Sequence, residues 1–206
     1  PGNFKKEHKT VKQTALLITD MQNDFLHQDG AYARGGTTSE QISALPKLLA
    51  SVANVIRENG GWVVSTHFTL VPGIGGEPII SDHLKELRPF LCKGDFTTGS
   101  FGHALIDELA PADFSIEKVA YSAFYMSRLE WVLNQVGINR LIVGGIVTNG
   151  GVTSTVRDAH VRGYDTWVLS DGCATFDADV HAVSIEALKS VARITTCAEA
   201  IEEFSN

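Results

Sequence analysis

The sequence predicts one α/β domain, a three-layer α/β/α sandwich built on a six-stranded, mostly parallel sheet. Three observations predict it. Short continuous apolar runs, the signature of strands buried on both faces, alternate with stretches of helical period. Most connections between them are short, which favours right-handed crossovers and a sheet covered on both sides. The length of 206 residues suits a single sizeable core. Residues 1–206 therefore read as one domain, with 1–12 as a flexible or oligomer-contacting N-terminal segment.

The elements follow in order. Residues 15–19 (ALLIT) form a first strand that ends at Asp20. Residues 39–58 place Ile42, Leu45, Leu48, Leu49, Val52, Val55 and Ile56 on one helical face, with Ser39 as cap and Gly60 as stop. Residues 62–65 (WVVS) form a second strand. Residues 70–102 are rich in Gly, Pro and polar side chains and read as a long excursion with a short helix near 80–88; such loops often carry function. A strand at 114–119, a helix at 127–136 closed by Gly137, and a strand at 141–146 come next. A helix at 153–162 runs up to Gly163, and a strand at 166–169 leads to an exit at Asp171. A helix at 179–190 and an edge strand at 192–195 complete the chain.

Composition excludes several functions. Hydrophobic residues make up 44% and charged residues 20%, and the net charge is −7, which disfavours nucleic acid and anionic membrane surfaces. No apolar run approaches the ~20 residues of a membrane span. The first residues, PGNFKKEHKTVKQ, lack the apolar core of a signal peptide. Cys92, Cys173 and Cys197 are odd in number and without metal-like spacing, so they read as reduced thiols of a cytoplasmic protein.

In an open parallel sheet, ligands bind at the carboxyl ends of the strands. Asp20, directly after a buried strand in "ITDMQNDF", is a carboxylate in low dielectric, suited to proton transfer or to a structural hydrogen bond. Lys118, in "SIEKVAYSAF", either snorkels to water or meets a carboxylate. Val147, Thr148, Asn149, Gly150 and Gly151 form the turn into the 153–162 helix. A helix start offers unpaired N–H groups that suit a carboxylate, a carbonyl or a developing oxyanion, and two glycines let a ligand approach the main chain. Phe25, Phe68, Tyr121 and Phe124 lie near these segments and are candidate pocket lining, as is Phe101. Arg88 and Lys93, in the excursion, are candidate carboxylate binders. His160, His181 and Arg157 read as helix-surface or inter-subunit residues.

Together, "ALLITDMQNDF", "TTGSFGHALIDELAP", "SIEKVAYSAF" and "GGIVTNGGVTSTVRDAHVRGYDTWVLSDGCATFD" resemble the isochorismatase-like (cysteine hydrolase) superfamily over nearly the whole chain. The resemblance implies a Rossmann-like six-stranded sheet and an oligomer, here expected as a homodimer or homotetramer. It also implies an Asp–Lys–Cys triad in which Cys attacks an amide or nitrile-derived carbonyl. Asp20 and Lys118 match two of the three positions; the cysteine position falls on Gly151. A cis peptide implied before the Thr would be Val147–Thr148. None of the three cysteines can stand in by sequence position; Cys173, after another strand exit in "SDGCATFD", comes nearest. Relatives that hold a metal do so through an Asp and histidines after the second strand. Here His67 is present but Ser65 stands at the Asp position, and His83 and His103 lack ligand spacing, so neither metal nor other cofactor is expected.

True isochorismatases carry glycine at this position and hydrolyse an enol ether without a covalent intermediate. The leading expectation is accordingly a hydrolase without a cysteine nucleophile, in which Asp20 assists addition of water to a small organic substrate such as an enol ether. Lys118 complicates this: an ammonium beside Asp20 favours the carboxylate, the opposite of what a general acid needs. Two other readings remain open: an amidohydrolase-type scaffold that binds but does not turn over an amide, and a non-enzymatic binding protein.

Overall fold

The computed structural model describes residues 11–205, so residues 1–10 of the expected N-terminal segment lie outside it. Six parallel strands make one sheet in the order β3-β2-β1-β4-β5-β6. They are β1 (Thr14–Thr19), β2 (Trp62–Phe68), β3 (Phe114–Lys118), β4 (Arg140–Ile146), β5 (Asp165–Ala174) and β6 (Arg193–Thr195). The helices are α1 (Asn23–Leu26), α2 (Ala31–Arg34), α3 (Glu40–Glu58), α4 (Asp82–Leu87), α5 (Leu129–Gln135), α6 (Thr153–Val161), α7 (Ala178–Leu188) and α8 (Cys197–Ser205). The strand order reverses at β1, between β2 and β4, and that switch point is where an open α/β sheet forms its ligand crevice.

Each face of the sheet has its own core. Leu16 and Ile18 of β1 face Ile42, Leu45, Leu49, Val52 and Ile56 of α3, with Phe204 of α8. Ala15 and Leu17 face the other way, toward Leu129 and Leu133 of α5 and Val156 of α6. This alternation is the two-residue period of a strand covered on both faces. Helix α3 forms where expected: Ser39 accepts a hydrogen bond from Ile42 N, and its buried side chains contribute roughly 1.5–3 kcal/mol each.

Two strands run further than their apolar runs suggest. β2 continues through Ser65, Thr66 and His67 because each of these polar side chains has a buried partner. β5 continues past Leu169, so the strand end lies at Ala174 rather than at Asp171. The register between β4 and β5 shifts between Val143 and Gly145, after which Cys173 pairs with Gly145 and Ala174 with Ile146. Asp171 instead accepts a hydrogen bond from Cys197 N at the start of α8. Gly145 is required at the shift: its φ is +112°, and a Cβ there would sit 2.2 Å from Thr19 O.

Candidate active site

Three strand ends converge. Asp20 follows β1 with φ +55°, a left-handed conformation that Asp tolerates better than most residues and that is held by Asp20 N donating to Thr66 O at 3.2 Å. Its carboxylate is buried. Oδ1 accepts from Thr66 Oγ1 at 2.7 Å, and Oδ2 meets Lys118 Nζ at 2.7 Å. Lys118 ends β3, two strands away from β1, a span of about 10 Å between backbones. A long cationic side chain is what that distance demands. The ammonium also donates to Ala120 O at 3.1 Å and Tyr121 O at 3.2 Å, and lies 5.6 Å from the centroid of the Phe68 ring. Its three N–H groups thus have three acceptors, the arrangement of a charged lysine bound to an ionised carboxylate.

The third strand end is β4. Its continuation, Thr148–Val152, is a π-helical turn in which Val152 N donates to Val147 O and Thr153 N to Thr148 O. Such turns recur at functional sites, and the turn opens α6 with N–H groups that a ligand oxygen can use. The cis peptide lies at Ile146–Val147, where the chain leaves β4, one bond earlier than the resemblance implied. Gly151 is buried. A Cβ built on it would lie 3.2 Å from Asp20 Oδ2, 3.3 Å from Ile146 O and 3.3 Å from Thr19 Cγ2. The side-chain direction at 151 therefore points at the Asp20–Lys118 pair. A Cβ on Gly150 would lie 3.1 Å from Tyr121 Cε1, so Tyr121 stands against the turn.

Two residues hold the turn in place. Thr175 Oγ1 donates to Asn149 Oδ1 at 2.8 Å. His181 is not a helix-surface residue: its Nδ1 lies 2.8 Å from Thr148 Oγ1 and its Nε2 lies 3.1 Å from Ser170 O. Since a carbonyl can only accept, Nε2 carries the proton and the Thr148 hydroxyl donates to Nδ1. Sequence reasoning missed this role, because the contact joins α7 to the turn through tertiary packing alone. It also missed the side chains after Asp20. Gln22 Nε2 donates to Phe68 O and His103 O, Asn23 Nδ2 to Phe101 O, and Asp24 accepts from Ala31 N and Phe96 N. These bonds fasten the excursion to the end of β1.

The aromatic residues divide. Phe68 faces Lys118, and Phe25 packs 4.7 Å from Tyr32, 4.6 Å from Phe96 and 6.4 Å from Phe68. Phe124 is a core side chain rather than pocket lining, because the 119–126 segment folds it into the α5–α6 layer, where its ring packs on Tyr164. Phe101 is exposed and meets His27 edge-on. Lys93 donates to Gly75 O at 2.7 Å and so braces the excursion. His160 is exposed, and Arg157 donates to Ala187 O at 3.4 Å, both on the outer side of α6.

Cys173 does not stand in for the missing nucleophile. It is buried in the α5–α7 face of the core, and burial pushes its thiol up to about 12, so it stays protonated near neutrality. Burial likewise raises Cys197.

Ser65, His67, Ser115 and Glu117 alternate with Thr66, Phe68, Ile116 and Lys118, and so lie on the other face of the sheet from the ion pair. There His67, Ser115 and Glu117 help to line a separate cavity of about 690 Å³ with His103 and Arg128. This donor set does not suit a metal. His67 Nε2 is 2.8 Å from Ser65 Oγ and Nδ1 is 2.9 Å from His103 O, so both ring nitrogens are engaged. Burial and the adjacent His67 lower the pKa of His103. Among the described residues, no group of three or more His, Cys, Asp or Glu side chains is placed to hold a metal ion, and no helix is long and apolar enough to cross a membrane.

Fold and strand-end chemistry define a class: an α/β hydrolytic scaffold with a buried acid–lysine pair facing a helix start. The isochorismatase domain family model matches residues 14–199, and the chain belongs to that family, whose members include hydrolases. A ureidoacrylate amidohydrolase RutB from Stutzerimonas stutzeri is 31% identical over 208 residues, covering 94% of this chain and 82% of the relative. A cysteine hydrolase from Pseudomonas syringae pv. phaseolicola superposes with TM-score 0.80 at 25% identity, covering 95% of this chain and 94% of that one. An N-carbamoylsarcosine amidase from Thermoplasma acidophilum shares the fold, with TM-score 0.70, 24% identity, and 90% and 96% coverage.

Proposed function

We propose that this protein hydrolyses a small carbonyl-containing substrate by direct attack of water, without a covalent intermediate. One observation carries the reading: the side-chain direction at Gly151 meets Asp20 Oδ2 at 3.2 Å, and Asp20 is itself bonded to Lys118 at 2.7 Å. The acid and the amine stand ready, and the residue between them and the substrate has no attacking atom. Water takes that part. Asp20 accepts a proton from water as the water oxygen bonds to the carbonyl carbon. N–H groups of the Thr148–Gly151 turn hold the oxygen that becomes negative. The same proton passes from Asp20 to the departing nitrogen or oxygen as its bond to carbon breaks. Lys118 orients Asp20 throughout and favours its ionised form before the water attacks and after the proton has left. The ureidoacrylate amidohydrolases among its relatives make ureidoacrylate the first substrate to assay. A cytoplasmic homo-oligomer is part of the same proposal.

Hydrolysis of an enol ether is the second reading, favoured by the bare position at Gly151. It requires a proton on Asp20, whereas both oxygens of Asp20 accept hydrogen bonds from donors. Product assays separate the two: ammonia from a ureide or amide, pyruvate from isochorismate.

Gly151→Cys tests the proposal. The new Cβ has contacts of 3.2–3.3 Å, so its neighbours must yield by a few tenths of an ångström. The new thiol would lie beside Asp20, and ammonia release should rise by about tenfold or more over wild type, since a thiolate is a far better nucleophile than water. A folded Gly151→Cys protein with no gain on any amide would count against the carbonyl reading and in favour of the enol ether.

A further inference from the structure

We propose that Arg88 selects the substrate, and that the substrate carries a carboxylate; this rests on reading the Asp20 site as hydrolytic. Arg88 caps the end of α4 in the excursion and is half-buried. Its guanidinium carbon lies 5.7 Å from the Tyr32 ring centroid and 5.9 Å from that of Phe176. Those two rings stack on each other at 5.4 Å with planes 11° apart. Nε donates to the Tyr32 hydroxyl at 3.3 Å and Nη1 to Leu87 O at 2.8 Å. Arg34, Arg57, Arg140, Arg162 and Arg193 each meet a carboxylate. Among the described residues Arg88, Arg128 and Arg157 meet none in a chain whose net charge is −7, and of these three Arg88 is half-buried while the other two are exposed. A guanidinium half out of water, laid against aromatic rings and without a counterion, presents a planar fork that matches a carboxylate.

A chain of ring contacts connects it to the reacting groups. Tyr32 packs 4.7 Å from Phe25, Phe25 lies 6.4 Å from Phe68, and the Phe68 ring lies 5.6 Å from Lys118 Nζ, the partner of Asp20. Phe176 follows Thr175, whose hydroxyl holds Asn149 in the oxygen-binding turn. Arg88, Tyr32 and Phe176 thus form a wall that continues to the turn. A flat molecule with its carboxylate on Arg88 could extend its far end toward Asp20 and Gly151.

Equilibrium binding of benzoate and of nitrobenzene, its neutral planar counterpart, measured by NMR titration of the 206-residue chain, tests this without any turnover. Wild type should prefer benzoate by about tenfold or more, and Arg88→Gln should bring the two ligands within about twofold. Arg88→Lys, which keeps the charge and loses the fork, should reduce the preference by roughly threefold or more; it serves if Arg88→Gln fails to fold. Equal binding of both ligands by wild type, or an undiminished preference in the folded variants, would overturn the proposal and assign any anion to Lys118 or the 148–151 turn. Loss of hydrolysis in other experiments leaves this result standing, so the two claims fail separately.

Discussion

Asp20→Asn is expected to reduce turnover by about 10²–10⁴-fold and, by leaving the buried Lys118 ammonium without its carboxylate, to lower stability while the fold is kept. The substitution keeps the shape of the side chain and removes its ability to take a proton. Asn Oδ1 can still accept one hydrogen bond, from Lys118 or from Thr66, and Lys118 keeps Ala120 O and Tyr121 O. The comparison needs circular dichroism at the assay temperature, so that a loss of rate is read on folded protein. The KM–kcat split is informative. A proton acceptor that acts only as the bond is made should lower kcat and kcat/KM together. A rise in KM alone, with kcat intact, would mean that Asp20 merely shapes the site.

Lys118→Met should destabilise the protein by about 3–5 kcal/mol, the usual consequence of leaving one member of a buried ion pair without its partner. The Lys118 side chain is 1% exposed and that of Asp20 6%, so water cannot replace the lost contact. Methionine fills much of the lysine stem's volume, which limits the packing loss and leaves the uncompensated carboxylate as the main cause. The double variant Asp20→Asn/Lys118→Met removes both charges and should recover most of the loss while remaining inactive. Urea unfolding of the three variants checks this; a single-variant cost under ~1 kcal/mol would mean that the pair is hydrated rather than buried.

Much of this site is legible in the chain. The run ALLIT, closed by Asp20, carries its meaning locally, because a strand covered on both faces reads as a continuous apolar run and the first charge after it marks the strand end. Gly150 and Gly151 mark a close approach of main chain at a helix start, and the structure gives both glycines near neighbours. Lys118 is harder to read, since only the strand order shows that it must reach across β2. What could not be read depends on long-range partners. Ser65, Thr66 and His67 look like the end of a strand until their buried hydrogen bonds are seen. Asp171 looks like a strand exit until the shift at Gly145 lets β5 continue. The start of α8 carries a capping box, in which Thr196 Oγ1 accepts from Glu199 N and Glu199 Oε2 accepts from Thr196 N, but only the structure shows that Ala200 and Phe204 of α8 complete the core on the α3 face. His181 owes its role to a residue more than 30 positions away.

The central claim is that bond cleavage proceeds by water alone, with no enzyme-bound acyl group. Intact-protein mass spectrometry of wild type, acid-quenched during turnover of ureidoacrylate or of the best amide found, tests it most directly. The account predicts the mass of the unmodified chain at every time point. A transient increase equal to the acyl portion of the substrate, on Cys173 or on any other side chain, would contradict it.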